Sequence, residues 1–157
     1  MIYRLYLDTS VLGALFDEED PGRVRVTQRL LGLLREGRFE PFVGQEVLVE
    51  IGQAPTRLRD HLMRAIEEIG PTTLEPSAAS EALVEAYLAT GSFRSRSLMD
   101  ARHLAVATVG GVDALVSWNY RDMVNLERKR LVHSVNIRLG YHMIDIVSPL
   151  EVPGVQE

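Results

Sequence analysis

The chain has 157 residues and a formal net charge of −5; 46% of the residues are hydrophobic and 25% are charged. This length and composition predict one globular domain with a sizeable core and argue against extended disorder. The chain contains no cysteine, so disulfides and thiolate metal sites are excluded, and a bound metal would need oxygen or imidazole ligands. No apolar run is long enough for a membrane span or a secretory signal, and we expect a cytoplasmic protein.

Strands and helices alternate along the chain. In chain order the predicted elements are a strand at 3–7, a short helix at 11–16, a helix from 21 to near 37, a strand at 39–43, helices at 45–51 and 56–69, a strand at 72–74, helices at 77–89 and 97–109, a strand at 114–117, a helix at 126–139 and a strand at 145–147. Asp20-Pro21 illustrates the signals used, because Asp caps helices and proline favours the first helical position. The alternation predicts one α/β domain over residues 1–150 with a mostly parallel sheet, followed by a short C-terminal tail at 151–157.

Polar residues follow two of the predicted strands. Asp8-Thr9-Ser10 comes after the first strand, and the segment from Ser117 to Asp122 begins at the end of the fourth. In open parallel sheets, sites form beyond the carboxyl ends of the strands. Two further acids, Glu50 and Asp100, lie on predicted helices whose other residues are mostly apolar.

Each of these acids also has an ordinary structural explanation. Asp8 could cap the short helix that follows it, and Ser97-x-x-Asp100 fits a capping box. Glu46 and Glu50 are four residues apart and could form one solvated helix stripe. Taken singly, none of these positions indicates a function.

Taken together, the acids indicate a metal site. Asp8, Glu50 and Asp100 each occur in an apolar segment, and Asn119 follows the fourth strand. Buried carboxylates repel one another and are costly to desolvate without a partner. Mg²⁺ or Mn²⁺ removes that cost and prefers carboxylate oxygen. Such clusters commonly hydrolyse phosphodiester bonds.

Four segments of the chain resemble the motifs of PIN domains, metal-dependent ribonucleases that include the VapC toxins of prokaryotic toxin–antitoxin pairs. The segment 6–12, Tyr-Leu-Asp-Thr-Ser-Val-Leu, is similar to the first acidic motif. Glu50 within Val-Leu-Val-Glu-Ile and Asp100 at the start of Asp-Ala-Arg-His-Leu-Ala-Val-Ala resemble the second and third motifs. Val-Ser-Trp-Asn, which ends at Asn119, resembles the fourth.

The resemblance implies a three-layer α/β/α fold and an endoribonuclease that hydrolyses RNA. It implies that Asp8, Glu50 and Asp100 bind Mg²⁺ or Mn²⁺ and that Asn119 is a fourth catalytic position, where many members have a carboxylate. Asp122 could supply the missing charge, and Ser10 would hold Asp8 or a bound water by a hydrogen bond. A homodimer and an antitoxin partner are implied in the same way.

Several basic and aromatic side chains near these motifs could contact RNA. The candidates are Arg94, Arg96, Arg102 and Arg121, for which solvated loop positions are an equal explanation. Trp118 could stack on a base or form a wall of the core. His103 lies one turn from Asp100 and could pair with it.

Two other functions fit parts of the pattern. A PIN-like module could bind RNA or protein without cutting, because three acids form a weaker metal site than four. A haloacid-dehalogenase-type phosphatase also carries an Asp after its first strand. That chemistry needs a second Asp where this chain has Ser10, and a later Lys, whereas Lys129 lies in a basic helix segment.

Overall fold

A parallel five-stranded sheet forms the centre of the protein in a computed structural model, which describes residues 1–93 and 97–156. The strands are β1 (Arg4–Leu7), β2 (Glu40–Gly44), β3 (Thr72–Leu74), β4 (Ala114–Val116) and β5 (Asp145–Val147). Their order is β3-β2-β1-β4-β5, and every neighbouring pair is parallel. β2 and β3 therefore lie on one side of β1, and β4 and β5 lie on the other.

Helices cover the sheet. In the described residues they are α1 (Thr9–Ala14), α2 (Pro21–Arg35), α3 (Gln45–Gly52), α4 (Thr56–Ile69), α5 (Ala78–Ala89), α6 (Leu98–Val109) and α7 (Leu126–Arg138), with a 3₁₀ helix at Pro149–Glu151. Helices α1, α2 and α4 contact one another, α5 contacts α6 and α7, and α3 touches α6. This is the three-layer α/β/α architecture, so the predicted fold class is confirmed.

The helix boundaries follow local sequence signals. Asp20 caps α2 by accepting a hydrogen bond from the Arg23 backbone N–H at 3.1 Å, and Pro21 occupies the first turn. Gly70 ends α4 in the left-handed conformation, with φ of 61°, which glycine adopts without steric cost. Predicted and observed elements consequently differ by only one or two residues at their ends.

One predicted cap is wrong. Ser97 precedes α6, but its side chain makes no capping hydrogen bond. The backbone of Ser97 has φ −96° and ψ 9°, whereas a capping side chain reaches the first-turn N–H groups from an extended backbone. Asp100 is therefore not tied into a capping box.

The core lies on both faces of the sheet. Leu7, Leu12, Leu30, Leu104 and Leu115 are completely buried. Val152 and Val155 are also buried, so residues beyond 150 contribute to the same core. No helix in the described ranges has the length and apolarity to cross a membrane.

Candidate functional site

Asp8 lies immediately after β1 and is 4% exposed. Its carboxylate accepts hydrogen bonds from the Ser10 backbone N–H at 3.1 Å and from the Ser10 hydroxyl at 2.5 Å. Burial raises the pKa of Asp8, and the hydrogen bonds from Ser10 and Ser117 oppose that rise. Asp8 is thus both the cap of α1 and a buried acid at the carboxyl edge of the sheet.

Asp100 lies in the first turn of α6, close to the same edge. Its pKa is raised to about 6, chiefly by burial and then by the negative charges of Asp8 and Asp122, against the opposing effects of His103 and Arg128. Charges interact this strongly only at short range. Asp8, Asp100 and Asp122 therefore share one electrostatic environment.

No ion pair neutralises Asp8 or Asp100 within the described residues. Carboxylate oxygens in such surroundings suit a hard divalent cation, so the donor chemistry fits Mg²⁺ or Mn²⁺. However, in residues 1–93 and 97–156 no three Asp, Glu or His side chains are grouped closely enough to hold a metal ion. The agreement between the site and a divalent cation therefore depends on Asp8 and Asp100, because Glu50 is hydrogen-bonded to another side chain.

Glu50 is held by His103. The imidazole Nε2 lies 3.0 Å from Glu50 Oε1, and Nδ1 lies 2.6 Å from the Tyr6 hydroxyl. Burial, followed by the charge of Asp8, raises the pKa of Tyr6 well above its ordinary value, so Tyr6 keeps its proton. His103 thus bridges the Tyr6 hydroxyl and the Glu50 carboxyl group through its two ring nitrogens. His103 pairs with Glu50 rather than with Asp100.

The position of the Tyr6 hydroxyl requires a glycine at position 44. A Cβ atom at position 44 would collide with that hydroxyl. Gly44 ends β2 directly before α3, the helix that carries Glu50. The missing side chain at Gly44 therefore leaves space for the Tyr6 hydroxyl, which contacts His103, and His103 in turn contacts Glu50.

The turn after β4 is fastened to the turn after β1. The Ser10 hydroxyl accepts a hydrogen bond from the Trp118 N–H at 3.0 Å and lies 3.3 Å from the Ser117 hydroxyl. The Ser117 hydroxyl accepts from the Asn119 N–H at 3.0 Å. Ser10 thus links the two loops that border the acids.

Asn119 shapes this turn. Its Oδ1 accepts a hydrogen bond from the Asp122 backbone N–H at 3.0 Å. The amide therefore stabilises the backbone that carries Asp122. The negative charge of Asp122 raises the pKa of Asp100. Asn119 accepts this hydrogen bond through its amide oxygen, so the turn does not need a carboxylate at position 119.

The predicted RNA-binding arginines occupy different places. Arg94 and Arg96 lie outside the described residues. Arg102 is exposed and lines a cavity with Glu46, whereas exposed Arg121 lines two cavities that border the site. Arg121 therefore has the clearer position for contact with a substrate.

The sequence reasoning missed Arg128. It is 8% exposed, its guanidinium lies 3.6 Å from the Phe93 ring centroid, and its Nε donates to the Asp122 carbonyl at 2.6 Å. Its charge lowers the pKa of Asp100. In the sequence it lies within Glu-Arg-Lys-Arg at 127–130, a pattern typical of a solvated helix face.

Two cavities lie on either side of Arg121. One of about 620 Å³ is lined by Asp122 and Arg128 among others. The other, of about 630 Å³, is lined by Ser10 and Asn119 together with aromatic residues. Both cavities border the polar turn that follows β4.

The sheet is all-parallel, and acids lie at its carboxyl edge beside β1 and β4. No family model matches the chain, and none of the curated proteins matches it. Among solved structures, the crystal structure of Mycobacterium tuberculosis VapC20, a sarcin-ricin loop cleaving toxin, is similar with a TM-score of 0.57. The match has 18% sequence identity and covers 74% of this chain and 91% of VapC20. A likeness at this identity establishes the fold alone, and that fold is PIN-type and VapC-like.

Proposed function

We propose that this protein is a metal-dependent endoribonuclease of the toxin type, which hydrolyses phosphodiester bonds in RNA. The observation that carries the proposal is the pair of carboxylates, Asp8 and Asp100, at the carboxyl edge of the sheet without an ion-pair partner in the described residues. The shared fold with VapC20, whose substrate is the sarcin-ricin loop, supports RNA as the substrate.

Asp8 and Asp100 would hold Mg²⁺ or Mn²⁺, with Glu50 as the third acid. When bound, the ion would supply Lewis-acid stabilisation of charge on phosphate and a water of lowered pKa. Ser10 favours the ionised form of Asp8 through two hydrogen bonds. His103 orients Glu50, and Asn119 fixes the turn that carries Asp122.

The proposal extends to partners by the same likeness. RNA is the substrate, an antitoxin protein is the regulator, and a homodimer in the cytoplasm is the working form. The VapC-like fold supports the RNA substrate and the antitoxin partner, and the homodimer and the cytoplasmic location remain expectations from the sequence. Co-expression with the neighbouring reading frame tests the antitoxin.

RNA cleavage with and without metal tests the function. Structured and single-stranded RNAs are incubated with the wild-type protein in Mn²⁺, Mg²⁺ or EDTA, beside Asp8→Asn, Asp100→Asn and Glu50→Gln. The matched control is Asp60→Asn, because Asp60 is an exposed acid on α4. We expect metal-dependent cleavage that the control retains and that Asp8→Asn and Asp100→Asn lose. Equal cleavage by Asp8→Asn would contradict the assignment.

A second candidate is an RNA-binding or protein-binding module that does not cut. The observation that favours it is that no three acidic or imidazole side chains are grouped for a metal in the part of the chain that the structure describes. Retained RNA binding with no cleavage in any metal would select this function. Release of phosphate from small phosphomonoesters would instead indicate a phosphatase.

A further inference from the structure

A cavity of about 630 Å³ opens between the start of α2 and the turn after β4. Ser10 and Asn119 line the side that borders the acids, and Arg23, Trp118 and Tyr120 line the other. A substrate whose reacting group lies at Asp8 would therefore extend its neighbouring unit into this cavity.

Two aromatic side chains line the cavity, and they differ in exposure. Trp118 is 6% exposed, and its indole Nε1 donates a hydrogen bond to the Thr27 hydroxyl at 2.9 Å. Tyr120 stands edge-on to it, with ring centroids 6.5 Å apart, and is 43% exposed. Trp118 is therefore a fixed wall, and Tyr120 offers the accessible ring face.

A guanidinium completes this wall. The Arg23 Cζ lies 4.9 Å from the Trp118 ring centroid and 5.7 Å from that of Tyr120. Its Nε lies 3.4 Å from an Asp20 carboxylate oxygen, and its side chain is 39% exposed. The cation thus lies against both rings while its side chain stays partly exposed.

The chemistry of the cavity favours a nucleobase with its phosphate. Exposed aromatic faces and guanidinium planes both stack on unpaired bases. Arg23 and Arg121 supply positive charge for phosphate, and Asp17 is the acidic residue that lines the cavity. We propose that this cavity binds the unpaired nucleobase adjacent to the scissile phosphate, with Tyr120 as the stacking residue, an inference that rests on the proposed ribonuclease function.

Binding of oligonucleotides in the Asp8→Asn background tests the inference, because cleavage then does not interfere. The probes are a labelled ten-nucleotide single-stranded RNA and an abasic strand of the same length, both followed by fluorescence anisotropy. Tyr120→Ala should weaken binding of the RNA about tenfold, as expected for the loss of one base–aromatic stack. Tyr120→Phe should bind as the background protein does, and the abasic strand should be insensitive to both variants.

Tyr3→Ala is the matched control, because Tyr3 is 45% exposed but precedes β1, at the opposite edge of the sheet. It should leave RNA binding unchanged. Loss of affinity in Tyr120→Ala that is equal for the RNA and the abasic strand would overturn the inference, since it would show that the ring does not read bases.

The fluorescence of Trp118 gives a second test, which uses a protein with Tyr120 unsubstituted. Trp118 is the one tryptophan of the chain, so its emission reports occupation of the cavity. Saturating RNA should change that emission, and unchanged emission at saturation would overturn the inference. If the wild-type protein cuts no RNA, the proposed function fails, while these binding measurements still decide whether the cavity takes a base.

Discussion

Replacement of Asp100 by asparagine should stabilise the metal-free protein at neutral pH. The pKa of Asp100 rises from 3.8 to about 6 on folding, chiefly by burial and by the charge of Asp8. A difference of about 2 between the folded and unfolded pKa corresponds to about 3 kcal/mol. Asp100 is partly accessible to water, and screening should reduce the gain in unfolding free energy to about 1–2 kcal/mol.

The sign of the effect depends on pH. The folded protein binds the Asp100 proton more tightly than the unfolded chain does, so the stability of the wild type falls as pH rises from about 4 to about 6. Well below pH 3.8 the carboxyl is neutral in both states and contributes little. The advantage of Asp100→Asn should therefore be small at low pH and complete above the folded pKa.

Urea unfolding in EDTA at several pH values between 4 and 8 measures the effect. Asp60→Asn is the control for loss of an exposed carboxylate. The same Asp100→Asn variant should lose RNA cleavage, and Mn²⁺ should stabilise the wild type more than the variant, since a ligand stabilises the state that binds it. A destabilised Asp100→Asn at neutral pH, or a gain that does not vary with pH, would refute the electrostatic reasoning.

Three further predictions concern rate, packing and a buried hydrogen bond. At subsaturating Mn²⁺, RNA cleavage should decline as pH falls below about 6, where Asp100 of the metal-free site takes up a proton that competes with the metal; a flat rate between pH 5 and 8 would contradict this. Gly44→Ala should lower the unfolding free energy by about 2 kcal/mol, because its Cβ collides with the buried Tyr6 hydroxyl, and Tyr6→Phe should partly rescue it in thermal melts. Tyr87→Phe should cost about 1–2 kcal/mol, because the Tyr87 hydroxyl donates to buried Asn136 at 2.6 Å; an unchanged midpoint in urea would be the contrary result.

The fold could be predicted from the sequence because its signals are local. Asp20-Pro21, Gly70 and Ser77 mark helix ends by backbone chemistry that depends on a few neighbouring residues. The placement of Asp8 after β1 needed one further rule, that sites in parallel sheets form at the carboxyl ends of strands. These two kinds of information were enough for the α/β class, the parallel sheet and the edge that carries the acids, whereas the three-layer arrangement was implied by the family resemblance.

The partners of the acids could not be predicted, because they depend on packing between distant segments. His103 and Glu50 are 53 positions apart, and His103 and Tyr6 are 97 apart. The contact of α3 with α6 brings Glu50 and His103 together, and no local sequence pattern predicts that contact. Arg128 was missed for the same reason, since its burial depends on Phe93.

The sheet order also bears on when the chain becomes able to act during its synthesis. Ser10 and Ser117, which join the two loops beside the acids, are 107 residues apart, and β4 pairs directly with β1. A ribosome-bound chain that lacks β4 therefore carries Asp8 and Glu50 but not the loop that completes the acidic edge. For the proposed ribonuclease, this topology delays assembly of the site until about three quarters of the polypeptide has emerged.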